Sequence, residues 1–267
     1  KLNILLMTEA EKTDRIRFLF QHTCSGMDLE SGTVFITNEV NGDQVTLQGT
    51  PVIAADGSGS AVRESMIESG HISGSFDPLG HSYKELSIPP DKSDEFQLEP
   101  NALHIWPRGK FMLIALPNMD RSFTVTLFLP NTGDISFSTV RSLDDLNSLF
   151  EKNFPDILKL MPSLQTDYFS NPTGKLGTVR CSQWNVNESV LIGDAAHAVV
   201  PFFGQGMNAS FEDCTVLNQM IDSSVGWKDL FESFSIKRKI DGDAIADMAL
   251  ENYIEMRGLV NQNIFLQ

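Results

Sequence analysis

The chain has 267 residues, 41% of them hydrophobic, enough to bury a sizeable core in one large domain or two modest ones. Its 35 acidic residues against 20 basic ones give a net charge of −15, which argues against nucleic acid or an anionic membrane surface as partner, because both require positive potential. Cys24, Cys181 and Cys214 stand far apart, without Cys-x-x-Cys or metal-ligand spacing, and read as reduced thiols of a cytoplasmic protein.

Residues 1–13 pattern as a helix, with Leu2, Leu5, Leu6 and Ala10 at helical spacing. Ile16 to Phe20 alternates weakly, as a strand would. Thr33–Thr37 and Gln44–Leu47 predict a hairpin through Asn41-Gly42-Asp43. Pro51–Ala55 predicts a short buried strand that ends at Asp56-Gly57, with a helix from Ala61 through Ile67. From Tyr83 to Pro130 the pattern changes. Tyr83–Ile88, Phe96–Leu98, Leu103–Trp106, Phe111–Leu116 and Phe123–Leu129 are β-rich runs with short connections, which implies an antiparallel sheet. Met112, Ile114 and Leu116, and likewise Thr124, Thr126 and Phe128, alternate onto one face, which forms an apolar wall if it looks into a cleft.

Ser142 followed by Asp144 and Asp145 predicts a capped helix running to about Phe154, and Pro155, Pro162 and Pro172 break up the next stretch. Val190-Leu191-Ile192 is long enough for one buried strand, ending at Gly193-Asp194. After Pro201 comes Gly204-Gln205-Gly206, then a helix from Asn208 to Ile221. Trp227 to about Val260 reads as further helices, with a bend near Asp241-Gly242. No run approaches the roughly 20 apolar residues of a membrane span.

Two strand ends therefore deliver an acid and a glycine to a helix N-terminus, at Asp56-Gly57 and at Gly193-Asp194. Free amides and the positive end of a helix dipole, facing a carboxylate, suit a ligand with hydroxyls and an electron-rich head; a plain anion would be repelled by Asp194. His197, alone in a small-residue loop, reads as a hydrogen-bonded structural group, as does His104 beside Trp106, and Cys214 reads as packing.

The constellation Gly193-Asp194-Ala195-Ala196-His197, Pro201 and Gly204-x-Gly206, with Asp56-Gly57 ahead of an Arg63-bearing helix, resembles the flavin-contacting motifs of the single-component flavoprotein aromatic hydroxylases. The strings Tyr83-Lys84-Glu85-Leu86, His104-Ile105-Trp106-Pro107, Pro201-Phe202-Phe203-Gly204-Gln205-Gly206-Met207-Asn208 and Glu251-Asn252-Tyr253-Ile254-Glu255-Met256 narrow the resemblance to the kynurenine-hydroxylating branch of that family.

The resemblance implies an α/β (α+β) fold: part of a Rossmann-like FAD-binding domain over 1–74, an inserted antiparallel-sheet substrate domain over 75–171, and a return to the FAD-binding domain with C-terminal helices over 172–267. It implies FAD as cofactor, NADPH as reductant, and hydroxylation of L-kynurenine by O2 to 3-hydroxykynurenine through a flavin hydroperoxide. A related hydroxylase of another small aromatic acid, or a piece inactive on its own, is the alternative.

By resemblance, Asp194 takes the ribityl hydroxyls of FAD, and Met207 and Asn208 meet the flavin with backbone groups. Gly206, Asp56, Gly57, Ala61 and Cys24 complete the cofactor set. The carboxylate of the substrate falls to Asn252, with Met256 one helical turn later. Leu103, Met112, Ile114, Leu116, Thr126 and Phe128 match the wall around its ring, and Pro201, Phe202 and Phe203 stand between wall and flavin. No metal site and no catalytic side chain is implied, the chemistry being the flavin's. The chain opens without an initiator methionine and ends on an apolar pattern, so both ends are expected to be cuts. An N-terminal Gly-x-Gly-x-x-Gly segment would lie before it and a C-terminal segment after it. The location expected is cytoplasmic, or the mitochondrial outer membrane if the protein is eukaryotic and anchored downstream.

Overall fold

The structure is a computed structural model, and it describes residues 2–221 and 226–258. It opens with the expected helix α1 (Leu2–Glu11), which buries none of its side chains; Leu5 remains 55% exposed. Residues 15–20 are irregular, so the weak alternation there makes no strand. Strand β1 (His22–Asp28) comes just after it and pairs with the predicted hairpin β2 (Thr33–Asn38) and β3 (Gln44–Gln48) in an antiparallel sheet.

Strand β4 (Val52–Ala54) is next, followed by α2 (Ala61–Glu68). α2 lies against β1, where Ser65 Oγ accepts from the amide of Met27 at 3.0 Å.

The middle of the chain builds a five-stranded antiparallel sheet from β5 (Gly74–Ile88), β6 (His104–Pro107), β7 (Met112–Pro117), β8 (Phe123–Pro130) and β9 (Thr173–Cys181), in the order β6-β7-β8-β5-β9. Phe96–Leu98, expected as a strand, is irregular. Its apolar side chains still reach the core, and Gln97 donates to the carbonyl of Pro89. β9 escapes sequence reading because Gly174 and Gly177 dilute its β pattern. The rings of Tyr83 and Phe76 on β5 cross these two positions, and a Cβ at either would fall within 2.3 Å of a ring carbon.

Alternation sorts the sheet into two faces. One packs Leu113, Ala115, Val125 and Leu127 against helices α3 (Leu143–Asn153), α4 (Pro155–Leu158) and α5 (Leu164–Ser170). Ser142 and Asp145 form the capping box that starts α3. The other face carries Met112, Ile114 and Phe128 toward Val200, Phe202 and Tyr253, as the period-2 pattern predicted.

The chain then returns to β4. A two-residue strand, β10 (Asn185–Val186), turns into β11 (Ser189–Leu191), which runs parallel to β4 with Leu191 opposite Ala54. A short helix α6 (Asp194–His197), a 3-10 turn (Pro201–Phe203) and α7 (Gly206–Ile221) come next. The last described element is α8 (Trp227–Gly258), 32 residues of continuous helix; the expected continuation to Val260 lies outside the described residues. No break occurs at Gly242. A Cβ there would stand 2.8 Å from Cη2 of Trp184, so the glycine serves helix packing. Among the described residues no helix is long and apolar enough to cross a membrane.

Candidate active site

The parallel strands β4 and β11 end side by side, and ligands of open α/β sheets collect outside such carboxyl ends. β4 leads to Asp56, whose Oδ2 accepts from the amides of Ala61 at 2.8 Å and Val62 at 3.3 Å. Asp56 thereby joins Ser60 in capping α2. β11 leads to Asp194, which is exposed. The turn before it needs a glycine: Gly193 has φ 56° and ψ −141°, and a Cβ on it would meet Ser210 Oγ at 3.0 Å.

Two cavities meet at Asp194. One, of about 860 Å³, is lined by Gly57, Gly193, Asp194, Gly204, Gly206 and Met207, with Phe211 and Cys214 on the next turns of α7. The first turn bond of this helix joins the Ala209 amide to the Gln205 carbonyl, so the amides of Gly206, Met207 and Asn208 precede the intrahelical ladder. Of the cofactor residues expected from sequence, Gly57, Asp194, Gly206 and Met207 line this cavity. Cys24, Asp56, Ala61 and Asn208 lie outside its lining: Cys24 is half-buried on β1, and the Asn208 side-chain amide donates to Gln205 Oε1.

The second cavity, of about 760 Å³, lies between the sheet and the 3-10 turn. Ile114, Leu116, Thr126 and Phe128 of the alternating face line it, together with Pro201 and Phe202. Met112 is fully buried behind the wall, and Leu103 and Phe203 are exposed outside the lining. Met256 packs against the cluster behind the cavity, and the Asn252 amide is turned to the carbonyl of Phe202, 2.5 Å away. Aromatic contacts hold the turn: Phe202 stacks on Tyr253 at 4.2 Å and tilts against Phe128 at 4.9 Å.

Tyr83 and Glu85 also line this cavity, and sequence reading missed them. Their i, i+2 spacing on β5, opposite Phe128 and Thr126 of β8, is the signal that identifies them. Lys175 of β9 and the buried Arg63 join them. Arg63 donates to the carbonyls of Ala195 at 2.8 Å and Ser58 at 2.5 Å, which ties the two strand-end loops together.

Beneath the Gly193 turn lies a buried polar cluster. Asp213 of α7 accepts from Gly193 N at 2.9 Å and His197 Nε2 at 2.6 Å on one oxygen, and from Arg238 Nε at 2.9 Å on the other. Trp184 stacks on the His197 ring at 4.7 Å. Burial pushes the Asp213 carboxyl up, but the bonds from His197, Gly193 and Arg238 outweigh it and hold the group below the usual carboxylate range. His197 is thus a hydrogen-bonded structural residue, as expected.

Two adjacent strand ends and a helix N-terminus line one cavity, an apolar sheet wall lines the other, and the family match gives this arrangement its class, a flavoprotein. The chain belongs to the family of FAD binding domains, matched over residues 1–247, and FAD is the cofactor of that family. It is similar to kynurenine 3-monooxygenase of Myxococcus xanthus (strain DK1622), 45% identical over 266 residues, which cover 99% of this chain and 57% of the relative. It is similar also to kynurenine 3-monooxygenase of Dictyostelium discoideum, 42% identical over 279 residues, covering 99% of this chain and 60% of the relative. The chain thus spans less than two thirds of the length of these relatives. Among solved structures, the tetrameric form of 2-methyl-3-hydroxypyridine-5-carboxylic acid oxygenase shares the fold with a TM-score of 0.75 at 19% identity, over 97% of this chain and 66% of that one. Klebsiella pneumoniae HpxO complexed with FAD and uric acid shares it with a TM-score of 0.63 at 17% identity, over 85% and 56%.

Proposed function

We propose that this chain carries the flavin and substrate clefts of an enzyme that hydroxylates the ring of L-kynurenine to 3-hydroxykynurenine with FAD, NADPH and O2. One observation carries the reading: Asp194, Val199 and Pro201 line both cavities, so only single side chains separate a group bound in one from a group bound in the other. Identity of 42–45% to proteins named kynurenine 3-monooxygenase supports the choice of substrate.

Bound FAD, reduced by NADPH, supplies the activated oxygen for ring hydroxylation. The residues of the first cavity fit such a group. Asp194 offers an exposed acceptor for ribityl hydroxyls, and the amides of Gly206, Met207 and Asn208 offer donors to the electron-rich edge of the flavin. Gly57 keeps the opposite loop free of side chain. Asp56 and Ala61 act through the start of α2, and Cys24 through its backbone. In the second cavity Ile114, Leu116, Thr126, Phe128, Pro201 and Phe202 orient the ring and exclude water. Met112, Met256, Leu103 and Phe203 back or flank that wall, and Asn252 holds the turn that closes it and takes part in binding the amino-acid end.

In this reading residues 1–74 and 172–267 belong to the flavin domain, and 75–171 to the substrate domain, whose sheet borrows β9. The three unpaired cysteines support a cytoplasmic location. The test is NADPH consumption dependent on L-kynurenine, with 3-hydroxykynurenine identified by mass. Consumption that ignores kynurenine, or yields no hydroxylated product, sinks the reading.

A further inference from the structure

We propose that Asp213 is a positioning residue of the flavin cavity: from its buried place on α7 it holds the Gly193 turn in the conformation that presents Asp194, with Arg238 of α8 as its counterion. The inference rests on the FAD reading above and adds to it a residue that lines neither cavity.

Gly193 leaves β11 with φ 56° and ψ −141°, a region that only glycine enters readily and that persists where neighbouring contacts impose it. Asp213 supplies such a contact. Its Oδ2 accepts from the Gly193 amide at 2.9 Å, and the same oxygen takes Nε2 of His197, at the far end of the four-residue helix that begins with Asp194. One carboxylate oxygen therefore grips the chain on both sides of Asp194.

Asp213 has no exposed surface and Arg238 has 1%, so the charge must be matched where it stands. Arg238 Nε does this at 2.9 Å, and the same guanidinium reaches Glu212 at 3.0 Å and Asp241 at 2.9 Å. A buried carboxylate must fill its remaining lone pairs, and here the chain on either side of Asp194 fills them. This one spends an oxygen on the residue that precedes Asp194. Asp213 also belongs to the helix whose first turn lines the same cavity, so one side chain sets the spacing between the Asp194 carboxylate and the free amides of α7.

The test uses Asp213→Leu combined with Arg238→Met, which replaces the pair by apolar side chains of similar volume, an exchange that buried ion pairs often tolerate. Asp213→Asn is measured beside it. Folding is read by circular dichroism, FAD affinity by titration, and the setting of the flavin by its visible absorption band. Folded variants are expected to bind FAD about tenfold or more weakly, the loss that goes with a charge-assisted hydrogen bond, and to shift the band of the flavin still bound. A folded variant with wild-type affinity and band overturns the proposal, and so does failure of both variants to fold, which makes Asp213 a folding residue. Wild-type protein that takes up no FAD overturns the FAD reading itself, and the proposal with it.

Discussion

The side-chain amide of Asn252 donates a 2.5 Å hydrogen bond to the main-chain carbonyl of Phe202. This contact joins α8 to the turn that separates the two cavities, and Tyr253, the next residue, stacks on the Phe202 ring. Asn252→Ala leaves that carbonyl without its donor and frees the wall. It also removes the amide proposed to bind the amino-acid end of the substrate; a lost ligand bond of this kind costs about 1–3 kcal/mol, so the kynurenine dissociation constant should rise about 5- to 150-fold while that for FAD changes less than about twofold. Titration with each ligand checks it. Equal losses for both ligands would make Asn252 a general structural residue.

Acid should act through Asp213. Burial alone would raise its carboxyl, but the bonds from His197, Gly193 and Arg238 leave it lowered from 3.8 in the folded protein. A depressed carboxyl contributes stability that is fully present above its unfolded value and is lost as pH falls through the folded one. At pH 7 Asp213→Asn should be less stable than wild type by about 3 kcal/mol, the loss typical of breaking a buried ion pair. Urea denaturation repeated at successively lower pH should show the gap closing once pH drops below the usual carboxylate range. A gap that stays constant down to acid unfolding would contradict this.

Cys214 provides a probe of the flavin cavity. It is exposed and lines that cavity, whereas Cys181 is buried and its thiol is pushed up to about 11 by burial. Burial and the charge of Asp213 also raise the Cys214 thiol, so its alkylation should quicken with pH. In the native protein maleimide should modify Cys214 well before Cys181, and saturating FAD should slow the reaction at Cys214 about tenfold or more by occlusion. Peptide mass mapping over time reads both sites. Labelling of Cys214 indifferent to FAD would place the flavin elsewhere.

Gly242→Ala should destabilise although alanine is the better helix former. The gain in propensity is about 1 kcal/mol, against about 1–3 kcal/mol or more for forcing a methyl group into a packed ring. The added carbon would stand 2.8 Å from Cη2 and 2.9 Å from Cζ2 of Trp184, which itself stacks on His197. A lower denaturation midpoint is expected, and an unchanged or higher one would show that α8 shifts freely over Trp184.

Local signals carry far in this chain. A short apolar run that stops at an acid and a glycine reads as a buried strand and its turn, because the strand needs burial and the glycine permits the turn. For that reason Asp56-Gly57 and Gly193-Asp194 are legible as strand ends from sequence. The period of two in Met112–Leu116 and Thr124–Phe128 marks the cavity wall on similar grounds: alternate side chains must share a face. Where composition works against the local pattern, reading fails. The glycines of β9 conceal a strand that exists because aromatic rings of β5 cover them. Gly242 reads as a bend, although the space of its missing side chain is filled by Trp184.

The two acid-bearing strand ends, the alternating sheet face and the helix read from Asn208 onward are all properties of local sequence, since each depends on neighbours within a few residues. Packing in three dimensions was needed to bring Asp213, His197 and Arg238 together beneath Gly193, to add Tyr83 and Glu85 to the wall, and to set Asn252 on Phe202. Those contacts join residues 16 to 50 positions apart on separate elements. A side chain carries no local mark of a partner that reaches it only when helices and sheet pack together.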